Sequence, residues 1–172
     1  MDDMNEIYFA GGCFWGTQHF LKQINGVLST EVGYANGNVP EPTYEQVYTD
    51  ATGYAEAVRV VFDASVVSLE FLIKLYFCSI DPTSLNRQGG DVGTRYRTGI
   101  YYCDSSQLPV IEEVCQSVAQ TLAAPMVVEV LELKNFYRAE EYHQDYLDKN
   151  PDGYCHISRE LMAMARKANA KC

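Results

Sequence analysis

The sequence predicts an α/β protein, built as a two-layer sandwich of helices packed on one mixed sheet. Strand-like and helix-like segments follow one another along the whole chain, with no internal repeat or low-complexity tract. The length of 172 residues suits a single domain. The hydrophobic fraction of 47% and the charged fraction of 21% are ordinary for a globular protein. A chain of this size buries enough surface to fold without a disulfide or metal.

The first half of the chain predicts three strands and three helices. Gly11-Gly12 ends the first strand, Asn25-Gly26 stops the first helix, and Ser68 is a good N-cap for the third helix. The strands follow from alternating or continuous apolar runs, and the helices from apolar residues at helical spacing. We predict strands at 6–10, 27–34 and 55–62, and helices at 14–24, 44–48 and 69–77.

The second half predicts two strands and three helices after a polar, glycine-rich stretch at 79–97. A stretch of that length without periodicity is often functional. Asp104 and Gln107 resemble a capping pair for the next helix. The complete order of strands and helices matches a mixed sheet with a ferredoxin-like core. We predict strands at 98–103 and 126–132, and helices at 108–123, 139–150 and 157–171.

Charge and targeting signals exclude several classes of protein. The formal net charge of −10 argues against a nucleic-acid or anionic-membrane partner, because phosphates would be repelled. No run approaches the ~18 apolar residues of a membrane span. The start of the chain carries acidic residues where a secretory signal carries basic ones. We therefore expect a cytoplasmic protein that needs no membrane.

The six cysteines show neither a C-x-x-C pair nor the density of a secreted disulfide framework. This excludes a zinc knuckle and a thioredoxin-type motif. Cys78, Cys103 and Cys115 lie in apolar-periodic segments, where a small buried side chain is expected. Cys13 and Cys155 have different surroundings and are the candidates for chemistry.

The segment GGCFWG at 11–16 is the most informative in the chain. It places Cys13 at the start of a helix, where free N–H groups and the helix dipole favour a thiolate and a lowered thiol pKa. The glycines allow a sharp turn and close approach of a substrate. Phe14 and Trp15 would line a small apolar pocket beside the sulfur. A packed, unreactive cysteine in a buried turn fits the same pattern equally well.

Enzyme templates that use a cysteine can be compared with this segment. A phosphatase loop needs arginine six residues after the cysteine, where the chain has His19. A thiol hydrolase would use Cys13 with His143, which lies far downstream as in papain-like proteases, although the C-G-S-C-W context is missing. A sensor that is oxidised once at Cys13 and does not turn over also stays open.

Five blocks of the chain resemble the type A peptide methionine sulfoxide reductases, which act on methionine-S-sulfoxide. Together they span the chain from the first strand to Cys155, and GGCFWG with the long loop is specific to that family. The resemblance supports the α/β sandwich and implies an oxidoreductase that repairs oxidised proteins under oxidative stress. The blocks are GGCFWG (11–16), VGYANG (32–37), TGYAEAV (52–58), DPTSLNRQGGDVGTRYRT (81–98) and AEEYHQDYLDKNPDGYC (139–155).

The resemblance implies a role for nine residues. Cys13 would attack the sulfoxide sulfur and become a sulfenic acid, which Cys155 would resolve as a Cys13–Cys155 disulfide. Thioredoxin, or dithiothreitol in vitro, would reduce that disulfide. The remaining roles are proton donation by Glu56, hydrogen bonds to the sulfoxide oxygen from Tyr34 and Tyr96, an S-methyl pocket from Phe14 and Trp15, and contacts of Asp91 and His143 with the substrate main chain.

The chemistry of these residue types agrees with the implied roles. A sulfoxide oxygen leaves only when protonated, and an apolar pocket that raised the pKa of Glu56 would keep that carboxyl protonated near neutral pH. Without the resemblance, Glu56 would be expected on an exposed strand face. Tyr34 and Tyr96 would be interpreted as packing residues. Asp91 would be interpreted as a turn cap, and His143 as an ordinary helix residue.

Several features depart from the family pattern or fall outside it. Tyr54 and Ile80 stand where histidine is usual, Asn36 where glycine is frequent, and Arg138 replaces a common proline. A helical tail replaces the glycine-rich end with its second resolving cysteine, so Cys172 has no assigned role. We expect residues 1–155 to form the catalytic domain and 156–172 a helical tail of the same single domain. No cofactor or metal is implied, and a monomer is expected.

Overall fold

The computed structural model of the protein describes residues 4–168 and shows one six-stranded sheet beside a separate two-stranded ribbon. Within these residues no helix is long and apolar enough to cross a membrane. The strands are β1 (Met4–Ala10), β2 (Val27–Ala35), β3 (Ala55–Asp63), β4 (Arg87–Gln88), β5 (Asp91–Val92), β6 (Gly99–Tyr102), β7 (Glu129–Glu132) and β8 (Phe136–Arg138). The helices are α1 (Phe14–Leu21), α2 (Tyr44–Tyr48), α3 (Leu69–Cys78), α4 (Leu108–Ala119), α5 (Tyr146–Lys149) and α6 (Arg159–Lys167).

The main sheet has the strand order β7-β6-β1-β3-β2-β8. Its four central strands, β6-β1-β3-β2, pair antiparallel throughout, which is the ferredoxin-like arrangement. The edge strand β7 pairs parallel with β6, and the other edge strand β8 pairs antiparallel with β2. The predicted α/β sandwich with a mixed sheet and a ferredoxin-like core is therefore confirmed.

Side-chain alternation along β3 decides which of its residues face the helices. Val58, Val60 and Phe62 are buried in the large core that the helices cover. The neighbouring alanines of the strand pack on the opposite face of the sheet. Glu56 is in phase with Val58 and Val60, so the pleat directs its carboxyl beneath the helices. The alternative of an exposed strand residue was wrong for Glu56.

The helix predicted at 139–150 is wrong, because the chain there forms a 3₁₀ turn and then the short helix α5. Asp145 between them has a left-handed φ of 53°, which a continuous helix does not allow. The Gln144 side chain accepts from Val32 N–H at 2.9 Å and donates to the carbonyls of Val32 and Ala139. These bonds hold the segment against β2 and fix the position of the neighbouring His143.

Other boundaries also differ from the sequence predictions. Asp104 caps a 3₁₀ turn by accepting from Ser106 N–H, and the Gln107 amide donates instead to the Glu6 carbonyl at 3.0 Å. They therefore do not form a capping pair. Helix α1 ends at Leu21 and α4 at Ala119, each a few residues earlier than predicted. The short strand β8, which carries little periodic signal, was not predicted.

Helix α6 returns to the sheet after Cys155. Ser158 caps it by accepting from Leu161 N–H at 3.1 Å, and its buried residues Met162 and Ala165 join the large core. The division into a catalytic domain of 1–155 and a tail of 156–172 stays a prediction. Cys172 lies outside the described residues.

Five cysteines lie in the described part of the chain, and all five are free thiols. Cys78 and Cys103 are exposed, so the prediction that they are small core residues was wrong. Cys78 closes the last turn of α3, and Cys103 follows the end of β6, where its thiol donates weakly to a Glu6 carboxylate oxygen at 3.7 Å. Both lie just beyond the apolar-periodic residues of their elements.

Candidate active site

A tight turn joins β1 to α1 and places Cys13 at the N-cap of the helix. Gly12 has a φ of +89°, and a Cβ there would lie 2.8 Å from the Gln88 side chain, so only glycine fits. The Tyr76 hydroxyl donates to the Ala10 carbonyl at 2.6 Å, and Thr17 Oγ1 donates to the Gly11 carbonyl at 3.0 Å. The loop that carries the thiol is thus fixed on both sides.

The Cys13 thiol is only 8% exposed. Burial and the charge of Glu56 raise the pKa of Cys13 well above its ordinary value, while the N–H groups of Trp15 and Gly16 lower it only in part. The sequence prediction of a lowered pKa was therefore wrong for this state. The helix start favours the thiolate through these N–H groups, but desolvation of the buried sulfur has the larger effect.

Glu56 is 1% exposed and lies beside the turn that carries the thiol. Its Oε1 accepts a hydrogen bond from the Phe14 backbone N–H at 3.1 Å. Burial raises the pKa of Glu56 to about 8, while that hydrogen bond and the Arg95 guanidinium act in the opposite direction. The direction is the one expected for a carboxyl in an apolar pocket, and it leaves a protonated acid near neutral pH.

His143 is buried and held by Trp15, whose Nε1–H donates to His143 Nδ1 at 2.9 Å. An indole nitrogen only donates, so Nδ1 carries no proton and, in the neutral ring, Nε2 does. Burial lowers the pKa of His143, which keeps the ring neutral. Nε2–H is buried and has no hydrogen-bond partner among the described residues. It is a donor, so the ring has no free lone pair to deprotonate Cys13 as a thiol hydrolase requires.

Aromatic rings surround this histidine and form one wall of the site. The Phe14 ring lies 5.2 Å from the His143 ring, and the Tyr44 ring lies 4.6 Å from it on another side. Trp15 stacks on Tyr146 at 3.7 Å between ring centroids, with the planes 8° apart. These rings present mostly apolar surface with few polar atoms. Such a surface suits the binding of a small apolar group such as a methyl.

The tyrosines of the site differ in what their hydroxyls contact. The Tyr34 hydroxyl donates to Glu140 Oε1 at 2.8 Å, so it is already engaged. Tyr44, which the sequence analysis missed, has its pKa raised to about 12 by burial and by the charges of Glu56 and Cys13. Burial and Glu56 also raise the pKa of Tyr96. The charge of Glu56 thus acts on all three tyrosines, that of Cys13 also acts on Tyr44, and only the Tyr34 hydroxyl is held by Glu140. The only sequence signal for Tyr44 was its place at a helix start.

Arg95 is a second site residue that the sequence analysis missed. Its guanidinium pairs with Asp50 at 2.8 Å and lies over the Tyr96 ring, 4.3 Å from the ring centroid. The Asp50 carboxylate also accepts from the Arg95 backbone N–H at 3.0 Å. These contacts fix the segment that carries Tyr96 and bring a positive charge near Glu56. Only its position in the glycine-rich stretch could have indicated it.

Asp91 in β5 and Cys155 in the segment before α6 both lie near the turn that carries Cys13. Asp91 accepts a hydrogen bond from the Tyr154 hydroxyl at 3.1 Å, which links β5 to the segment that carries Cys155. A Cβ on Gly16 would lie 3.1 Å from Cys155 Sγ, so this sulfur packs on the first turn of α1. Residues 4–168 contain no cluster of three histidine, cysteine or acidic side chains that could hold a metal.

Three of the four positions that depart from the family pattern have contacts separate from those of Cys13 and Glu56. The Tyr54 hydroxyl donates to the Val39 carbonyl, whereas Glu56 accepts from Phe14, so the two side chains have separate partners. Asn36 has a left-handed φ of 55°, a conformation that glycine and asparagine share. Arg138 forms ion pairs with glutamates on the protein surface.

Comparisons with known proteins agree on one family. The profile of the family described as peptide methionine sulfoxide reductase matches residues 5–171. A peptide methionine sulfoxide reductase MsrA of Clostridium acetobutylicum is 58% identical over 159 residues, which is 92% of this chain and 98% of the relative.

Solved structures extend the similarity to three dimensions. Methionine sulfoxide reductase A of Corynebacterium diphtheriae is 36% identical with a TM-score of 0.86, over 90% of this chain and 79% of that one. Mxr1 from Saccharomyces cerevisiae, solved in complex with Trx2, shares the fold with a TM-score of 0.60 at 23% identity, over 83% and 84% of the two chains. The chain therefore belongs to the peptide methionine sulfoxide reductase family of oxidoreductases.

Proposed function

We propose that the protein reduces methionine-S-sulfoxide, free or in proteins, to methionine by thiol chemistry at Cys13. The observation that carries this proposal is a buried carboxyl, Glu56, held beside the thiol turn with its pKa raised to about 8. A sulfoxide needs both a nucleophile for its sulfur and an acid for its oxygen, and the pair supplies both.

In the first step the Cys13 sulfur attacks the sulfoxide sulfur while Glu56 protonates the oxygen. The oxygen passes to Cys13 as a sulfenic acid, the S–O bond of the substrate breaks, and methionine leaves. The proton of the Cys13 thiol returns to Glu56, so the acid is restored. Tyr96 and Tyr44 donate hydrogen bonds to the oxygen, and Tyr44 takes the place first expected for Tyr34.

The same wall positions the rest of the substrate. Phe14 and Trp15 contact the S-methyl group, because their rings border the apolar side of the site. The unpaired His143 Nε2–H donates to a main-chain carbonyl of the substrate, and Asp91 accepts from its N–H. This arrangement requires only a sulfoxide side chain and one main-chain unit, which a free amino acid and a protein segment share.

The second half of the cycle regenerates the thiol. Cys155 attacks the Cys13 sulfenic acid, a disulfide forms and water leaves; a thioredoxin dithiol then reduces the disulfide. A groove of about 760 Å³ beside α5 and α6 includes Cys155 in its lining, which opens this sulfur to a reductant. The Trx2 complex of yeast Mxr1 is one case in which a protein of this fold has such a partner.

The proposal is tested by supplying the separated S and R epimers of methionine sulfoxide with dithiothreitol and counting methionine released per enzyme. Many turnovers on the S epimer and none on the R epimer are expected. Turnover on neither epimer, with Cys13 titrating as a free thiol, would overturn the proposal.

Replacing Cys155 with serine is expected to separate the two halves of the cycle. The first methionine should still form, because the Cys13 and Glu56 contacts do not involve Cys155. Turnover with thioredoxin should fall about 100-fold or more, because no disulfide is offered to it. Single-turnover and steady-state assays measure the two effects, and Cys115→Ser is the matched control. Full thioredoxin-driven turnover by the Cys155 variant would contradict the resolving role.

Removing single hydroxyl groups distinguishes the tyrosines. Tyr44→Phe is expected to lower kcat/KM about 10-fold, because a desolvated hydrogen bond to the sulfoxide oxygen is lost. Tyr34→Phe should leave kcat/KM nearly unchanged and lower the free energy of unfolding by about 1 kcal/mol, since it breaks the bond to Glu140. Steady-state kinetics with thermal unfolding test both, and a reversed pattern would restore the role to Tyr34.

A further inference from the structure

His156 lies across the turn that carries Cys13, although the steps above do not use it. Its Nε2 is 2.8 Å from the Gly11 carbonyl oxygen. A carbonyl only accepts, so Nε2 is the donor and carries the ring proton. In the neutral ring, Nδ1 therefore presents a lone pair.

The glycines of the turn make room for this ring. A Cβ on Gly12 would lie 2.9 Å from His156 Nε2, and a Cβ on Gly16 would lie 3.0 Å from Nδ1. The same point beside Gly16 is 3.1 Å from Cys155 Sγ. His156 Nδ1 and the Cys155 sulfur thus border one small gap on the first turn of α1, whose N-cap is Cys13.

The lone pair on Nδ1 is buried and has no hydrogen-bond partner among the described residues. An unpaired buried acceptor costs free energy, and such groups are kept where a function uses them. Burial lowers the pKa of His156, while Asp91 and the bond to Gly11 act in the opposite direction. The other titratable groups around it are Tyr154 and Cys155 of its own segment and Cys13 on the facing turn.

We infer that His156 is the base of the resolving step, an inference that rests on the proposed function. His156 Nδ1 takes the proton of the Cys155 thiol once that thiol turns from the Ile157 carbonyl, to which it donates at 3.3 Å in this structure. The resulting thiolate attacks the Cys13 sulfur. The S–S bond forms as the S–O bond of the sulfenic acid breaks. The departing hydroxide takes the proton from the imidazolium and leaves as water. The cysteines are oxidised by the oxygen already transferred, so no further oxidant is needed.

The variant that tests this inference is His156→Gln. A glutamine amide nitrogen reaches the position of Nε2 and keeps the bond to Gly11, but it provides no base. We expect the first methionine to form at the wild-type rate and the Cys13–Cys155 disulfide to form about 100-fold more slowly. Rapid quenching with alkylation and mass spectrometry measures both. His19→Gln, on the same helix α1 but paired with Asp148 of α5, is the matched control.

The pH dependence of disulfide formation is a second measurement, and it should not change if His156 has only a structural role. In the wild type, disulfide formation should slow as pH falls through the pKa of His156, because a protonated imidazole accepts no proton. In His156→Gln the rate should instead rise with pH as the Cys155 thiol itself ionises, since burial raises the pKa of that thiol. A wild-type rate and pH profile in His156→Gln would overturn the inference. Failure of the wild-type protein to form the Cys13–Cys155 disulfide would instead overturn the proposed resolving role.

Discussion

Cys13→Ser is expected to remove sulfoxide reduction, with a loss of at least about 10³-fold in methionine release. A serine hydroxyl is a far weaker nucleophile toward sulfur and cannot hold the transferred oxygen as a sulfenic acid. Single-turnover release of methionine from the S epimer is the direct measurement. Serine is nearly isosteric with cysteine, so the turn from β1 into α1 should keep its geometry.

Cys78→Ser is the matched control, because it makes the same exchange at an exposed thiol on the last turn of α3. It should keep the wild-type rate. Methionine release by Cys13→Ser at a rate close to the wild type would show that another group is the nucleophile. The comparison also separates loss of chemistry from loss of fold, since circular dichroism should be the same for both variants.

The position of Cys13 could be predicted from the sequence, but its electrostatics could not. A strand, two glycines and an apolar-periodic run define a helix start, and this local signal is enough to place a thiol at an N-cap. The pKa of that thiol depends on the strand beneath it and on Glu56, which is 43 residues away in the chain. Because local pattern carries no information about desolvation, the predicted direction was wrong.

Long-range contacts also decide features that the local sequence does not carry. The segment 139–150 has helical composition, yet Gln144 pairs with Val32 on β2 and Asp145 turns left-handed, so tertiary bonds replace helical ones. The sequence does not indicate whether Tyr34 or Tyr44 has the hydroxyl available to a substrate. The Tyr34 hydroxyl is held by Glu140, which is 106 residues away in the chain. The burial of Glu56, in contrast, could have been predicted from the sequence. Glu56 alternates in phase with Val58 and Val60 along β3, so it lies on the same buried face of the strand.

Glu56→Gln is expected to lower kcat by about 10²- to 10⁴-fold, because the amide cannot protonate the sulfoxide oxygen. Its oxygen can still accept from the Phe14 N–H, so the turn should stay in place. The pH profile of kcat/KM tests the role further. With the pKa of Glu56 raised to about 8, the wild-type acid is present below that pH and is lost above it. Wild-type activity should therefore fall on the alkaline side, and that limb should be absent in the variant.

Glu31→Gln on β2 is the matched control, since Glu31 pairs with Arg138 at the surface and should not affect the profile. An alkaline limb that stays in Glu56→Gln would assign it to another group. Equal loss of activity at all pH values, together with loss of the folded state, would indicate a structural role for Glu56.

The same raised pKa predicts how stability depends on pH. In the unfolded chain the Glu56 carboxyl ionises near its ordinary pKa of 4.5, whereas in the folded protein it stays protonated up to about pH 8. The unfolded state therefore binds fewer protons between these values, and the free energy of unfolding falls as pH rises through them. Glu56→Gln removes this dependence, so its stability relative to the wild type should rise by on the order of 3 kcal/mol between pH 5 and pH 8. Urea unfolding at both pH values measures the change. A gain in stability with a loss of activity would mean that the fold keeps Glu56 buried at an energetic cost, because a protonated carboxyl beside Cys13 is what the reaction requires.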